Sequence, residues 1–205
     1  MTPILIIDYG MGNLGSVLNM LRRVGAPALI SGDVEEVRRA EKIILPGVGA
    51  YDNAMKAIAA SGLRSALDEK ALKQKIPILG ICLGMQLLLD GSEEGREPGL
   101  GWIAGQAHRF PRVDGLKVPH MGWNEVRPTR EDPLTADLGD EARFYFVHSY
   151  HVQAADPGHA LLKASYGVDF DAAIRRGNIW GAQFHPEKSH RFGRQLLANF
   201  AGIRC

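Results

Sequence analysis

Three times in its first 90 residues the chain runs an apolar segment into a glycine-bearing turn and then into residues at helical spacing. The segments are "ILII" at 4–7, "KIILPGVG" at 42–49 and "IPILGICLG" at 76–84. An unbroken apolar strand needs cover on both faces, and a helix after each strand supplies it. The pattern therefore predicts an open, mostly parallel sheet with helices on both sides. Ligands on such sheets bind beyond the carboxyl ends of the strands. Those ends here carry "DYGMGN", "PGVG" and "GICLG".

The intervening segments fit. Leu14, Val17, Leu18, Leu21 and Val24 recur at helical spacing, with Gly25 where a helix C-cap would stand. "APALI" is a second strand. Asp33 reads as an N-cap with Glu36 as its return partner, opening a short helix through Ala40. "AMKAIAA" is helical until "SG" at 61–62, and a further helix runs to about Lys73. After residue 100 the texture changes to "RFYFVHSYHV", "HALLKASY", "DAAIRR" and "NIWGAQF". These short β-rich pieces between turn residues predict a smaller antiparallel addition. Phe192, Leu196, Leu197 and Phe200 form the apolar stripe of a closing helix. With no repeat or linker, one domain over 1–205 is expected.

Composition narrows the function classes. A formal net charge of +1, with no Lys/Arg run longer than two, leaves no nucleic-acid footprint. The apolar runs fall far short of the ~20 residues that span a bilayer. "MTPILIIDYG" lacks a charged n-region and reads as a first strand, not a leader. Two cysteines, Cys82 and Cys205, make no disulfide framework, so a cytoplasmic protein is expected.

The turn "GICLG" carries the first chemical signal. Gly80-x-Cys82-x-Gly84 between a strand and a helix has the form of a nucleophile elbow with cysteine in place of serine. The flanking glycines make room for a sharp turn, and a helix N-terminus would favour a thiolate at Cys82. The Leu83 N–H could face a developing oxyanion. A buried structural cysteine is the competing reading.

A thiolate needs a proton partner, and "QFHPEKS" offers one. His185 ends the strand "NIWGAQF". In extended backbone it shares a face with Glu187, a carboxylate placed to orient the ring. His148 and His151 form H-x-x-H, but no cluster of other metal-ligating types accompanies them, so core or solvated histidines are expected and no metal. In "PGVG", successive N–H groups of Gly47, Val48 and Gly49 could supply a second oxyanion donor. A plain strand-to-helix loop is the alternative.

Taken in order, "PGVG", "GICLGMQLL", "HMGWNEV", "FVHSYHV" and "GAQFHPEKS" resemble the class I (triad) glutamine amidotransferases along essentially the whole chain. Within that family they are most similar to the glutaminase subunits of imidazole glycerol phosphate synthases. The resemblance implies a flavodoxin-like α/β fold and hydrolysis of glutamine to glutamate and ammonia without a cofactor. It implies Cys82 as nucleophile, His185 as proton carrier and Glu187 as its orienting partner. Gly47, Val48 and Gly49 match the oxyanion strand, with Leu83 beside them. Gln86, Glu94, Ser149 and Tyr150 match positions that hold the amino-acid end of glutamine. It further implies a (β/α)8-barrel cyclase subunit as heterodimer partner, receiving the ammonia to make imidazole glycerol phosphate and an aminoimidazole carboxamide ribonucleotide in histidine biosynthesis. Asn13, Trp123, Tyr145 and Lys188 match positions at or near that interface. Other class I amidotransferases and stand-alone hydrolases are the neighbouring readings.

One motif points elsewhere. Gly10-x-Gly12-x-x-Gly15 has dinucleotide-fingerprint spacing, with Asp33 near where a ribose-binding acid would fall. Asp8 and Tyr9 intervene between strand and first glycine, and Asp33 also reads as a cap. The fingerprint is expected to be a decoy.

Overall fold

The computed structural model describes residues 2–204; Cys205 lies outside them. In chain order its elements are β1 (Ile4–Ile7), α1 (Leu14–Arg23), β2 (Ala28–Ser31), α2 (Val34–Arg39), β3 (Ile43–Gly47), α3 (Tyr51–Ala60) and α4 (Leu63–Asp68). They continue with β4 (Ile78–Cys82), α5 (Leu83–Leu87), β5 (Gly91–Ser92), β6 (Gly105–Arg109), β7 (His120–Glu125) and β8 (Arg127–Pro128). The last are β9 (Arg143–His148), β10 (Tyr150–Ala154), β11 (Ala160–Tyr166), β12 (Val168–Arg176), β13 (Ile179–Ala182) and α6 (His190–Gly202).

The main sheet runs β2-β1-β3-β4-β13-β12-β11-β8. Its first five strands pair in parallel and the remaining three are antiparallel. The expected antiparallel addition is thus partly an extension of the main sheet. The rest forms a β10-β6-β5 sheet and a β7-β9 pair.

Burial on both faces explains the unbroken apolar strands. In β1, Ile4 and Ile6 join one core with Val17, Leu21, Leu196, Leu197 and Phe200, beneath α1 and α6. Leu5 and Ile7 point the other way, into a core with Val37, Ile58, Leu63 and Leu67 of α2, α3 and α4. Alternation along a strand sends neighbours to opposite faces, and here both faces are covered.

Local signals mostly held. α1 ends in a Schellman motif at Gly25, with Ala26 N–H to Leu21 carbonyl at 3.0 Å and Gly25 N–H to Arg22 carbonyl at 3.0 Å. Asp33 caps α2, accepting from Glu35 N–H at 2.6 Å. Glu36 is not its return partner. The Glu36 carboxylate pairs with Arg39 at 3.2 Å, and the Asp33 N–H donates to Ser31 Oγ at 3.0 Å instead. The helix expected to reach Lys73 does so through a π-helical turn at Glu69–Lys73. Of the fingerprint glycines, the third lacks the packing role it has in a dinucleotide fold. A Cβ on Gly15 would meet nothing within 4 Å, whereas the third glycine of a dinucleotide fold permits close helix–strand packing.

Candidate active site

β3 and β4 lie side by side in a register that sets Gly47 opposite Cys82. Cys82 ends β4 with φ 55° and ψ −110°, a left-handed conformation that a side chain adopts only under constraint. The constraint is visible at Gly84, where a Cβ would stand 1.9 Å from the Leu45 carbonyl oxygen. The turn can press that closely on β3 only because residue 84 is glycine. α5, which follows the turn, is five residues long. The chain then turns off toward β5 (Gly91–Ser92).

His185 stands beside the thiol. Its ring is buried, with Nδ1 2.9 Å from Glu187 Oε1, whose side chain is 2% exposed. Burial opposes charging the ring, but hydrogen bonds to Cys82 and Glu187 and their negative charges outweigh it and lift the histidine to about 10. The route to the His185–Glu187 contact differs from the strand alternation expected. β13 ends at Ala182, and Pro186–Lys188 forms a 3-10 turn that folds the carboxylate back onto the ring.

In front of Cys82 opens a cavity of about 370 Å³. Val48 and Gly49 line it from the loop after β3, Leu83 and Gln86 from α5, Glu94 from the loop after β5, and Ser149 and Tyr150 from the junction of β9 and β10. His185, His148 and Lys188 line it too, with Pro119 and Val147. Gly47 is not part of the lining; a Cβ there would stand 2.7 Å from the Tyr9 hydroxyl and 2.9 Å from Gly84 N. Glu94 accepts from the Tyr51 N–H at 3.2 Å, and partial burial holds its carboxyl above the usual range. Gln86 Nε2 donates to the Tyr150 carbonyl at 3.1 Å and to Gln183 Oε1 at 3.2 Å.

Three of the four residues matched to an interface form one cluster. Trp123 pairs with Tyr145 across β7 and β9, and Lys188 Nζ lies 6.0 Å from the Tyr145 ring centre. Trp123 is 44% exposed and stacks on His190. Asn13 is exposed on a different segment, the β1–α1 loop. That loop reaches the site through Met11, whose Cε would lie 2.7 Å from a Cβ on Gly49.

Sequence reasoning passed over several groups that build the site. Tyr9 donates its buried hydroxyl to the Pro46 carbonyl at 2.6 Å, fixing the start of the "PGVG" segment. Gln183 is fully buried, with Nε2 4.0 Å from Cys82 Sγ. A glutamine inside the apolar "GAQF" was the available signal. Both H-x-x-H histidines are buried and pack against Phe110 and Phe170. His148 bonds to the Tyr150 carbonyl, and His151 lies against Phe110.

These features agree with the comparisons to known proteins. The family model described as glutamine amidotransferase class-I matches residues 5–202. The structure of PurLQS from Thermotoga maritima superposes with a TM-score of 0.74 at 18% identity, covering 98% of each chain. Imidazole glycerol phosphate synthase subunit HisH 2 of Pseudomonas aeruginosa is 53% identical, covering 98% of this chain and 99% of that one. The HisH subunit of Bdellovibrio bacteriovorus is 45% identical over 97% and 98% of the two chains. The chain belongs to the class I glutamine amidotransferases and, within them, to the family of the HisH subunits of imidazole glycerol phosphate synthase. No helix among the described residues is long and apolar enough to cross a membrane.

Proposed function

We propose that the chain hydrolyses glutamine to glutamate and ammonia through Cys82, His185 and Glu187. In this reading it delivers the ammonia to a (β/α)8-barrel cyclase subunit, for histidine biosynthesis in the cytoplasm. The observation that carries the reading is the strained Cys82 elbow beside the His185–Glu187 pair, opening onto a cavity lined by Gln86, Glu94, Ser149 and Tyr150.

The chemistry follows from these groups. The Cys82 thiolate attacks the side-chain amide carbon of glutamine. Its oxyanion is stabilised by the Leu83 N–H and a donor from Gly47-Val48-Gly49. His185 gives its proton to the departing nitrogen, the C–N bond breaks, and a thioester remains on Cys82. His185 then takes a proton from water, which attacks the thioester and frees glutamate and the thiolate. Glu187 keeps the ring oriented and stabilises its charged form. Glu94 supplies a counter-charge for the substrate ammonium, and Ser149 and Tyr150 supply hydrogen bonds to its carboxylate. Trp123, Tyr145, Lys188 and Asn13 face the cyclase subunit.

The test is glutamine hydrolysis by the chain with a cognate cyclase and its nucleotide ligand. Cys82→Ala should abolish it while added ammonia still supports synthesis. A glutamine-like electrophile should label Cys82 and spare Cys205. Loss of both activities in Cys82→Ala, or label found on Cys205, would overturn the assignment.

A further inference from the structure

The cavity wall at Ser149 and Tyr150 rests on a histidine that the hydrolytic steps do not use. His148 is 6% exposed, and its Nδ1 lies 2.8 Å from the Tyr150 carbonyl oxygen. Its Nε2 lies 2.9 Å from Nδ1 of His120, which is 3% exposed. His120 Nε2 is 3.3 Å from Asn124 Nδ2, and the same Asn124 nitrogen is 3.0 Å from the Ser165 carbonyl oxygen.

The two ends of this chain decide the direction of every bond in it. A carbonyl oxygen only accepts, so His148 Nδ1 carries a proton. In a neutral ring His148 Nε2 is then an acceptor, and His120 Nδ1 must donate to it. His120 Nε2 is left as an acceptor, and Asn124 fills it with one amide hydrogen while giving the other to Ser165. Turning the Asn124 amide over would set its oxygen against the Ser165 carbonyl. Burial keeps both rings neutral, pushing His148 down to about 3 and His120 down to about 4.

The far end of the chain grips the substrate turn. The Tyr150 carbonyl accepts from His148 on one side and from Gln86 on the other, at 3.1 Å. Both of its lone pairs are engaged, so the peptide between Tyr150 and His151 has no freedom to rotate. The near end lies on β7, one residue from the exposed Trp123.

We infer that His148 is a positioning residue for glutamine, holding the Ser149–Tyr150 turn through the Tyr150 carbonyl, and that Asn124 sets its tautomer through His120. The inference rests on the proposed glutaminase reading for the identity of the substrate. The hydrogen-bond chain itself does not.

Two measurements test it. In the complex with the cyclase, His148→Leu removes the donor and leaves a buried carbonyl short of a partner, so the KM for glutamine should rise roughly tenfold. The kcat should change less, and ammonia-supported synthesis should stay unchanged. His148→Asn retains an N–H near the Nδ1 position and should restore most of the KM. Equal rises in KM for both variants would reduce His148 to a space-filling role and overturn the inference. The second measurement is nitrogen NMR of the histidine rings in the full chain. It should find His148 and His120 neutral with the proton on Nδ1, and Asn124→Asp, which cannot donate, should shift the ring signals of both. A proton on His148 Nε2 in the unsubstituted protein would overturn the inference. So would an Asn124→Asp spectrum unchanged at both rings. If the complex hydrolyses no glutamine at all, the functional reading fails, while the ring spectra still decide the tautomers.

Discussion

The backbone N–H of His185 donates to the carbonyl of Tyr145 at 2.9 Å, tying the proposed proton carrier to β9, the strand that pairs with the Trp123 strand. Ser189 doubles the tie. Its fully buried hydroxyl donates to the His185 carbonyl at 2.6 Å and accepts from the Tyr145 N–H at 3.0 Å. Removing the hydroxyl strands that N–H, which costs about 1–3 kcal/mol. Ser189→Ala should lower stability by that amount in denaturant melts. It should also reduce glutaminase activity roughly ten- to a hundredfold, because small displacements of a reacting group are expensive. Unchanged activity at reduced stability would show that the tie serves the fold alone.

The pair of His185 and Glu187 makes a prediction about pH. The ring binds its proton more tightly in the folded chain than its ordinary 6.5, up to about 10. The stabilisation from that proton is therefore complete below about 6.5 and is lost as the pH rises toward about 10. Glu187→Gln removes one of the charges that raise the ring, so the alkaline loss should begin at lower pH. Melts across that range and the pH profile of Cys82 alkylation would both read the shift. His185→Ala should cost about 10²–10⁴ in rate, the usual worth of a proton-transfer group. Glu187→Gln should be milder, since the imidazole stays in place. Equal and negligible effects of both would move the proton carrier elsewhere.

How much of this was legible in the sequence depends on how far apart the partners are. The elbow, the Gly25 cap, the Asp33 cap and the closing helix are local, and local rules found them. Glu36 chose Arg39 over the Asp33 backbone, since both partners lie within one turn and Ser31 already served that N–H. His185 and Glu187 were paired for an alternation that the 3-10 turn replaces. Tyr9 to Pro46, His120 to His148 and Gln86 to Gln183 join residues on different strands and loops. No spacing rule reaches such contacts. They exist because the strand order brings β1, β3, β4 and β13 together and sets β7 against β9.

Asp132 makes a stability prediction away from the site. Its carboxylate has no exposed surface and accepts from Arg175 at 2.7 Å, Trp180 Nε1 at 3.0 Å and the Leu134 N–H at 2.9 Å. Asp132→Ala leaves a partly buried guanidinium and a buried indole N–H without their acceptor. Losing one partner of a buried pair costs about 3–5 kcal/mol. Denaturant unfolding should show a loss of that order. A loss under 1 kcal/mol would mean that water replaces the carboxylate.

The last prediction concerns control by the partner subunit. An oxyanion donor must point at the cavity, and beyond the Tyr9 bond to Pro46 the "PGVG" segment has a glycine that tolerates either peptide orientation. Gly49 has φ 105°, a conformation open to glycine, and Val48 is 41% exposed. Two of the surfaces matched to the interface touch the site directly. The β1–α1 loop meets Gly49 through Met11, and Lys188 lines the cavity while lying over Tyr145. A cyclase that binds these surfaces more tightly when the donor faces the cavity would shift the segment toward that state. The isolated chain should then hydrolyse glutamine very slowly, and the rate should rise with cyclase and again with its nucleotide ligand. Replacing Lys188 or Trp123 should weaken the stimulation more than it weakens the fold, which circular dichroism checks. Full glutaminase activity in the isolated chain would overturn the coupling and point to a free-standing hydrolase.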